Sequence, residues 1–269
     1  MYNLLNGELF KLHKSRSFFI CCIAVIIFII FMYSCLKLAD EQQKKETTKA
    51  ETGVLVVEAE AEETLEIIDM EEMMLSAVAG IFLSIFASIY VTGEYGDGAI
   101  KNIIGKGFAR EKVFFAKYVA TILAAVIMFL MILLVTLLCG LLFMGTEGLN
   151  AEFVQSLCKY GGMQLLFEIA FVSLVILVGE VSRSVGISVS VSLGLIMLAQ
   201  FIFIGFDAIL SFINIDFKTS DYWICNLISG CSISGIDHGF VMRGLAATVF
   251  WIVAALAAGV FHIKTADVK

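Results

Sequence analysis

The sequence contains no proline, and Asp, Glu, Lys and Arg together make up only 16% of its 269 residues. An ordinary water-soluble domain carries about a quarter charged residues, so the scarcity of charge argues against that class. Proline is a common cause of kinks in membrane helices. Any bend in this chain is therefore expected at glycine or serine.

The sequence also lacks the motifs of common catalytic and metal sites. A phosphate-binding loop requires G-x-x-x-x-G-K followed by Ser or Thr, whereas Gly105-Lys106 is followed by Gly107 and Ile100 stands at the upstream glycine position. The three histidines are far apart, and the seven cysteines have no metal-ligand spacing. We expect no catalytic residue, metal or cofactor in this chain, which predicts that it is not an enzyme.

Apolar residues make up 60% of the chain, and the mean hydropathy is +0.95. A hydrocarbon core of about 30 Å is crossed by roughly 20 apolar residues in a helix. Blocks of about that length lie at residues 18–36, 73–92, 118–142, 161–179, 185–206 and 244–261. The pattern predicts an all-α integral membrane protein, a single domain over residues 1–269 with six transmembrane helices.

The distribution of basic residues predicts the orientation. With the amino terminus in the cytoplasm, eleven of the 18 Lys and Arg residues fall inside, as the positive-inside rule favours. Six spans then place the carboxyl terminus in the cytoplasm as well. Residues 1–17 mix apolar and basic side chains, which is typical either of an interfacial amphipathic helix on the inner membrane surface or of a basic flank.

Twelve of the 25 acidic residues lie in one outer loop, residues 38–72. The net charge of −7 is thus a property of this loop, and we expect no nucleic-acid partner. Apolar and acidic residues recur at helical spacing over residues 57–69, which predicts an acidic amphipathic helix there. Its acidic face either attracts cationic peptides or metal ions or only keeps the loop soluble.

A second long outer connection, residues 207–238, carries two apolar clusters. It forms either a re-entrant or interfacial helix or a folded outer cap. Cys225 and Cys231 share this connection on the oxidising side, so they are candidates for a disulfide.

Polar and small residues inside the predicted spans are further candidates. Glu168 lies within the fourth span, where a charge is costly, so it either faces a substrate path or partner helix or sits near the outer surface. Two stripes of small residues allow close helix packing, within the chain or against a second subunit, or line a pathway. They are Ser76, Gly80, Ser84 and Ser88 in the second span and Gly186, Ser190 and Gly194 in the fifth.

The cytoplasmic segment 94–117 joins the second and third spans. Asp97 is a good helix N-cap and Gly105 a good stop, which predicts a helix of about two turns between them. Ile100, Ile103 and Ile104 give that helix an apolar face. Because so short a helix is marginal alone in water, it must dock on the membrane surface or on a soluble partner, unless the segment only turns the chain.

This segment resembles the coupling loop of permeases of the type-2 ATP-binding-cassette exporter family. The resemblance rests on Glu94, Tyr95, Gly96, Lys101, Asn102, Gly107, Arg110 and Lys117, and on the six-span layout. Ala99 and Ala109 depart from the threonine or serine often found there in that family. The resemblance implies two ATPase subunits that carry ATP and Mg, and a second permease subunit, identical or related. The implied ATPase contacts are Glu94, Tyr95, Asp97, Ile100, Lys101, Asn102, Ile103, Ile104 and Arg110.

The function that follows is export of a hydrophobic or amphipathic substrate across the bacterial cell membrane. Within the family the chain is similar to small permeases that protect bacteria from antimicrobial peptides such as lantibiotics or bacitracin. Two alternatives remain open at this point. The chain is either a membrane sensor or scaffold without transport, or an ion-coupled secondary transporter.

Overall fold

The computed structural model describes residues 2–51, 67–96, 108–144, 151–213, 217–232 and 237–265. These residues form α1 (Tyr2–Lys14), α2 (Arg16–Glu51), α3 (Ile67–Gly96), α4 (Arg110–Met144), α5 (Ala151–Ser182), α6 (Val185–Met197), α7 (Ala199–Phe212), a 3₁₀ turn (Ser220–Tyr222), α8 (Ile224–Ser229) and α9 (His238–Thr265). The predicted acidic helix at residues 57–69 lies mostly outside the described residues.

Within the described ranges, five helices contain stretches long and apolar enough to cross a membrane: Arg16–Ala39, Glu71–Tyr95, Arg110–Phe143, Val154–Ser182 and His238–Thr265. The consecutive helices α6 and α7 meet at a 44° bend and form a sixth span if they are counted as one. The prediction of an all-helical membrane protein is confirmed, with five to six spans. The bend falls on Leu198, not on a glycine or serine as expected, although the N–H of Leu198 still bonds the carbonyl of Gly194 at 2.7 Å.

The helices α3 and α5 form the centre of the bundle. In each, 61% of the most apolar stretch is buried, against 28% in α2 and α9. Large side chains from α3, α4 and α5, such as Phe86, Phe129 and Phe167, fill the core. On the faces of α2 and α9 that point away from the bundle, the apolar side chains are exposed, as expected for helices that border lipid.

The central helices α3 and α5 run parallel to each other. At three contacts between them, a residue of α3 lies beside the residue 88 positions later in the sequence. The hydroxyl of Tyr160 bonds the carbonyl of Glu72 at 3.3 Å, and the carboxyl of Glu168 lies against Gly80. Near the other end, a Cβ on Gly179 would lie 2.9 Å from Val91. Glycine is therefore required at position 179 for this close approach.

Within the connection 207–238, residues 217–232 fold as a cap on one end of the bundle, while residues 207–212 belong to α7. The apolar side chains of α8, Ile224, Leu227 and Ile228, are buried against protein. The indole of Trp251 on α9 donates to the carbonyl of Tyr222 at 3.0 Å. The described part of this connection therefore corresponds to a folded cap that contains a short helix. Cys225 and Cys231, the candidates for a disulfide, are free thiols in the structure.

Candidate coupling site

The segment 94–117 identified in the sequence begins at the end of α3 and finishes in the first turns of α4. Glu94 and Tyr95 lie in the last turn of α3, and Arg110 is the exposed first residue of α4. The remaining predicted contacts, Asp97, Ile100, Lys101, Asn102, Ile103 and Ile104, lie outside the described residues. The structure therefore shows how both ends of the segment are held.

The carboxylate of Glu94 forms salt bridges with two lysines from different helices. Lys117 of α4 approaches Oε2 at 3.0 Å, and Lys11 of α1 approaches Oε1 at 2.7 Å. The ammonium of Lys117 is almost fully buried and also donates to the carbonyl of Val91 at 3.2 Å. A carboxylate held by two cations is stabilised in its charged form, so Glu94 ties α1, α3 and α4 together.

The amino-terminal helix α1 is part of this cluster. Lys11 also pairs with Glu8 at 2.7 Å, and the hydroxyl of Tyr90 on α3 donates to the carboxylate of Glu8 at 3.2 Å. Burial lowers the pKa of Lys11, but its hydrogen bonds to Glu8 and Glu94 and their negative charges outweigh burial and raise the pKa above its ordinary value. Residues 2–14 are therefore a helix fixed to the bundle, which favours the helical alternative over a plain basic flank.

Tyr95 connects the same site to α5. Its hydroxyl donates to Glu180, which is buried near the end of α5. Its ring lies under two cations, with the ammonium of Lys117 at 5.1 Å and the guanidinium of Arg183 at 5.6 Å from the ring centre. Tyr95 is thus in contact with both Glu180 and Arg183.

Arg183 lies in the tight turn that joins α5 to α6. Its φ of 50° is in the left-handed region, which costs a residue with a side chain about 1 kcal/mol. Its N–H bonds the carbonyl of Gly179 at 2.9 Å, so the turn is closed by the main chain. The strained turn places the guanidinium beside Tyr95.

The start of α4 is fastened to the end of α9. Lys264 pairs with Glu111 at 3.1 Å on the surface. Beneath this pair, a Cβ on Gly259 would lie 2.6 Å from the ring of Phe114. Because only glycine fits here, α9 and α4 are in direct contact where the segment ends.

The side chains of Glu94 and Tyr95 therefore point into the bundle, where they act as anchors. Sequence reasoning named both residues but missed their partners Glu8 and Lys117 as parts of one cluster. One signal was available for Glu8, which is the only acid among the basic residues of the first 17 positions. Nothing in the spacing indicates that Lys117 turns inward.

The two stripes of small residues differ in what they contact. In α3, Gly80, Ser84 and Ser88 are buried, and Ser88 bonds Ser192 of α6 at 3.4 Å, so this stripe packs within the chain; Ser76 is only partly buried. In α6 the buried positions are Ser188 and Ser192. Gly186 and Ser190 are exposed, and a Cβ on Gly186 or Gly194 would meet nothing within 4 Å. The second stripe therefore makes no close contact with another described helix of the chain at Gly186 or Gly194, and its packing against a second subunit stays a prediction.

Glu168 is enclosed between α5 and α3, with 1% of its surface exposed. It does not line an open surface in this conformation, nor does it sit near the outer end of its helix. Among the described residues, no group of three or more His, Cys, Asp or Glu side chains has an arrangement suited to a metal ion.

Residues 2–222 match the family model of the ABC-2 family transporter protein. The chain belongs to the ABC-2 family. No curated protein matches the sequence. Membership makes the chain a multi-pass membrane permease subunit of an ABC exporter, a component that works with an ABC ATPase and is not itself the ATPase. This favours the permease over the sensor and secondary-transporter alternatives.

Proposed function

We propose that this ABC-2 permease receives the movement of its ATPase partner through the segment 94–117 and uses it to export a hydrophobic or amphipathic substrate. The supporting observation is the anchoring of both ends of the segment. Glu94 and Tyr95 connect one end to α1, α4 and α5, while Glu111 and Phe114 connect the other to α9. A force on the segment therefore reaches five helices.

Within this proposal the residues divide into two roles. Glu94 and Tyr95 transmit the force inside the bundle, because their side chains are engaged there. Asp97, Ile100, Lys101, Asn102, Ile103, Ile104 and Arg110 form the contact with the ATPase. ATP and Mg are bound by that partner subunit.

We further propose that a second permease subunit, identical or related, docks on the outward face of α6. Gly186 and Ser190 are exposed there, and small residues let membrane helices approach closely. The substrate proposal, a cationic amphipathic molecule such as an antimicrobial peptide at the bacterial cell membrane, is supported by the twelve acids of residues 38–72. The orientation with both termini in the cytoplasm follows from the basic residues.

The coupling role is tested by replacing Ile103 with Asp in the complex of permease and its ATPase. We expect the ATPase to be lost during purification in mild detergent, or its substrate-stimulated hydrolysis to fall to the basal rate, because a charge removes the apolar face. The matched control is Ile103→Leu, which keeps that face. Unchanged binding and unchanged transport in Ile103→Asp would show that the segment is not the coupling contact.

The docking face is tested by Ser190→Trp, with Val249→Trp as the control because Val249 is also exposed but lies on α9. We expect Ser190→Trp to halve the number of permease subunits in the purified complex and the control to leave it unchanged. If the number of permease subunits in the complex is unchanged in Ser190→Trp, the second subunit does not dock on this face of α6.

A further inference from the structure

A stripe of polar side chains leads from one end of α5 to its middle. Tyr160, Gln164 and Glu168 are spaced four residues apart, so they lie on one face of the helix. Each is at most 1% exposed. The stripe begins at the cap end of the bundle, where the hydroxyl of Tyr160 bonds the carbonyl of Glu72 and Ser232 bonds the Glu72 carboxylate at 2.9 Å.

The stripe stops at Glu168. The next two positions on the same face are Val172 and Ile176, which are apolar and buried. Glu168 lies fourteen residues from either end of the apolar stretch Val154–Ser182, or about 21 Å along the helix from each. On α5 itself, polar side chains therefore lie between the carboxyl and the cap end, whereas the next two residues of this face towards the other end are apolar.

The carboxyl of Glu168 has no partner among the described residues. Neither of its oxygens, nor the oxygen or nitrogen of the Gln164 amide, makes a hydrogen bond there. The two carboxyl oxygens lie 3.6 and 3.9 Å from the position of a Cβ on Gly80, so α3 closes over them. The contact leaves the carboxyl enclosed in protein.

The helices packed on α5 supply no cation at this depth. On α3 the described stretch holds acids but no Lys, Arg or His, and α6 holds no titratable side chain. The thiols of Cys225 and Cys231 come from the cap, and Cys139 lies near the outer end of α4. The cations of α4 and α9 lie towards the helix ends: Arg110, Lys112, Lys117, His238, Arg243, His262 and Lys264.

An isolated carboxylate in a low-dielectric interior is far more costly than the neutral acid. The enclosed carboxyl of Glu168 is therefore neutral in this conformation and holds a proton. It can lose that proton only when water or a cation reaches it, which requires α3 and α5 to separate in their outer halves.

We propose that Glu168 is an intramembrane proton-binding site that exchanges its proton with the outer medium through Gln164 and Tyr160. The amide of Gln164 and the hydroxyl of Tyr160 each contain both a hydrogen-bond donor and an acceptor, so each can bind a water molecule that carries the proton once the helices separate. In the exchange the O–H bond of the carboxyl breaks, the proton passes to outer water, and a carboxylate remains. This site goes beyond export driven by the ATPase, and only its outer access rests on the proposed orientation of the chain.

The proton is tested by infrared difference spectra of the full chain in lipid nanodiscs at neutral pH, wild type against Glu168→Gln. We expect the variant to lose the carbonyl-stretching band of one protonated carboxyl. The control Asp221→Asn should leave that band unchanged, because Asp221 is an exposed carboxylate paired with Arg243. A folded Glu168→Gln variant with the wild-type band would overturn the proposal.

The route is tested in proteoliposomes of known orientation with dicyclohexylcarbodiimide, which adds to protonated carboxyls. The carboxyl proton moves to a nitrogen of the reagent as the oxygen adds to its central carbon, so no group leaves. We expect modification of Glu168, measured by mass spectrometry, to fall when the outer pH is raised and not when the inner pH is raised.

In Gln164→Leu the response to outer pH should slow by about tenfold or more, whereas Leu166→Ala, off the stripe, should behave as wild type. Modification that follows the inner pH, or neither pH, would overturn outer access. Neither outcome of the Ile103→Asp experiment changes these readouts, so a failure of the coupling proposal is distinguishable from a failure of this one.

Discussion

The ammonium of Lys117 on α4 lies 3.0 Å from Oε2 of Glu94 on α3, with only 3% of the lysine side chain exposed. The same ammonium donates to Val91 and lies over the ring of Tyr95. One buried cation thus holds the last turn of α3 to the second turn of α4, the two helix ends that the connection between α3 and α4 joins.

Replacing Lys117 with Met should lower the free energy of unfolding by about 3 kcal/mol, because removal of one partner leaves a partly buried carboxylate with less compensation. Chemical denaturation in mild detergent measures the change. Lys112→Met, an exposed lysine on the same helix, should stay within about 0.5 kcal/mol of wild type. The double variant with Glu94→Gln should lose less than the sum of the single losses, by more than about 0.5 kcal/mol. Additive losses would show that the pair is not coupled.

Replacing Tyr95 with Phe should cost about 1–3 kcal/mol, because the buried carboxylate of Glu180 loses its hydrogen-bond donor while the ring keeps its cations. We also expect less substrate transported per ATP hydrolysed in the reconstituted complex. Tyr118→Phe is the matched control, since it removes a hydroxyl that bonds the uncharged Ser173. Equal transport per ATP in Tyr95→Phe and wild type would argue against a role for Tyr95 in force transmission.

Replacing Gly259 with Ala should destabilise the contact of α9 with α4 by about 1–3 kcal/mol, because the new methyl group would overlap Phe114. Gly186→Ala should be neutral or stabilising by about 0.5–1 kcal/mol in the single chain, since alanine is the better helix former and open space surrounds this position. Thermal unfolding of both variants provides the comparison. Similar melting temperatures would contradict the assigned packing at Gly259.

The cap cysteines should resist alkylation in the folded protein. Burial raises the pKa of Cys225 and of Cys231 to about 12, so their reactive thiolate forms are scarce at neutral pH. We expect maleimide to modify the exposed Cys158 and to leave both cap thiols unmodified, as measured by mass spectrometry.

Denaturation without a reductant should then make both cap thiols reactive, because they are free. If they stay unreactive after denaturation but react once reduced, they are bridged in the protein, contrary to the structure.

The apolar blocks located the membrane helices because a lipid core imposes a minimum apolar length. The blocks underestimated the helices, however. The fourth apolar block covers residues 161–179, whereas α5 covers Ala151–Ser182. Polar turns such as that of Lys159 continue the helix where the lipid core no longer demands apolar side chains.

The direction in which a helix face points was harder to predict. Gly186, Ser190 and Gly194 have the same spacing as the buried stripe of α3, yet Ser188 and Ser192 face the bundle. Periodicity fixes which residues share a face but not what that face meets. The same limit applies to Glu94 and Tyr95, whose partners Lys11, Lys117 and Glu180 come from three other helices.

The shared direction of α3 and α5 determines how they can move. Two contacts fix the register of the helices: Gly80 of α3 against Glu168, and Gly179 of α5 against Val91. Sliding one helix past the other would drive Val91 into a neighbouring turn of α5. The two helices can move together as a rigid body, or they can tilt apart about their tight contact at Gly179. A tilt about that pivot converts a small displacement beside Tyr95 into a larger gap at the distant ends, where Tyr160 meets Glu72.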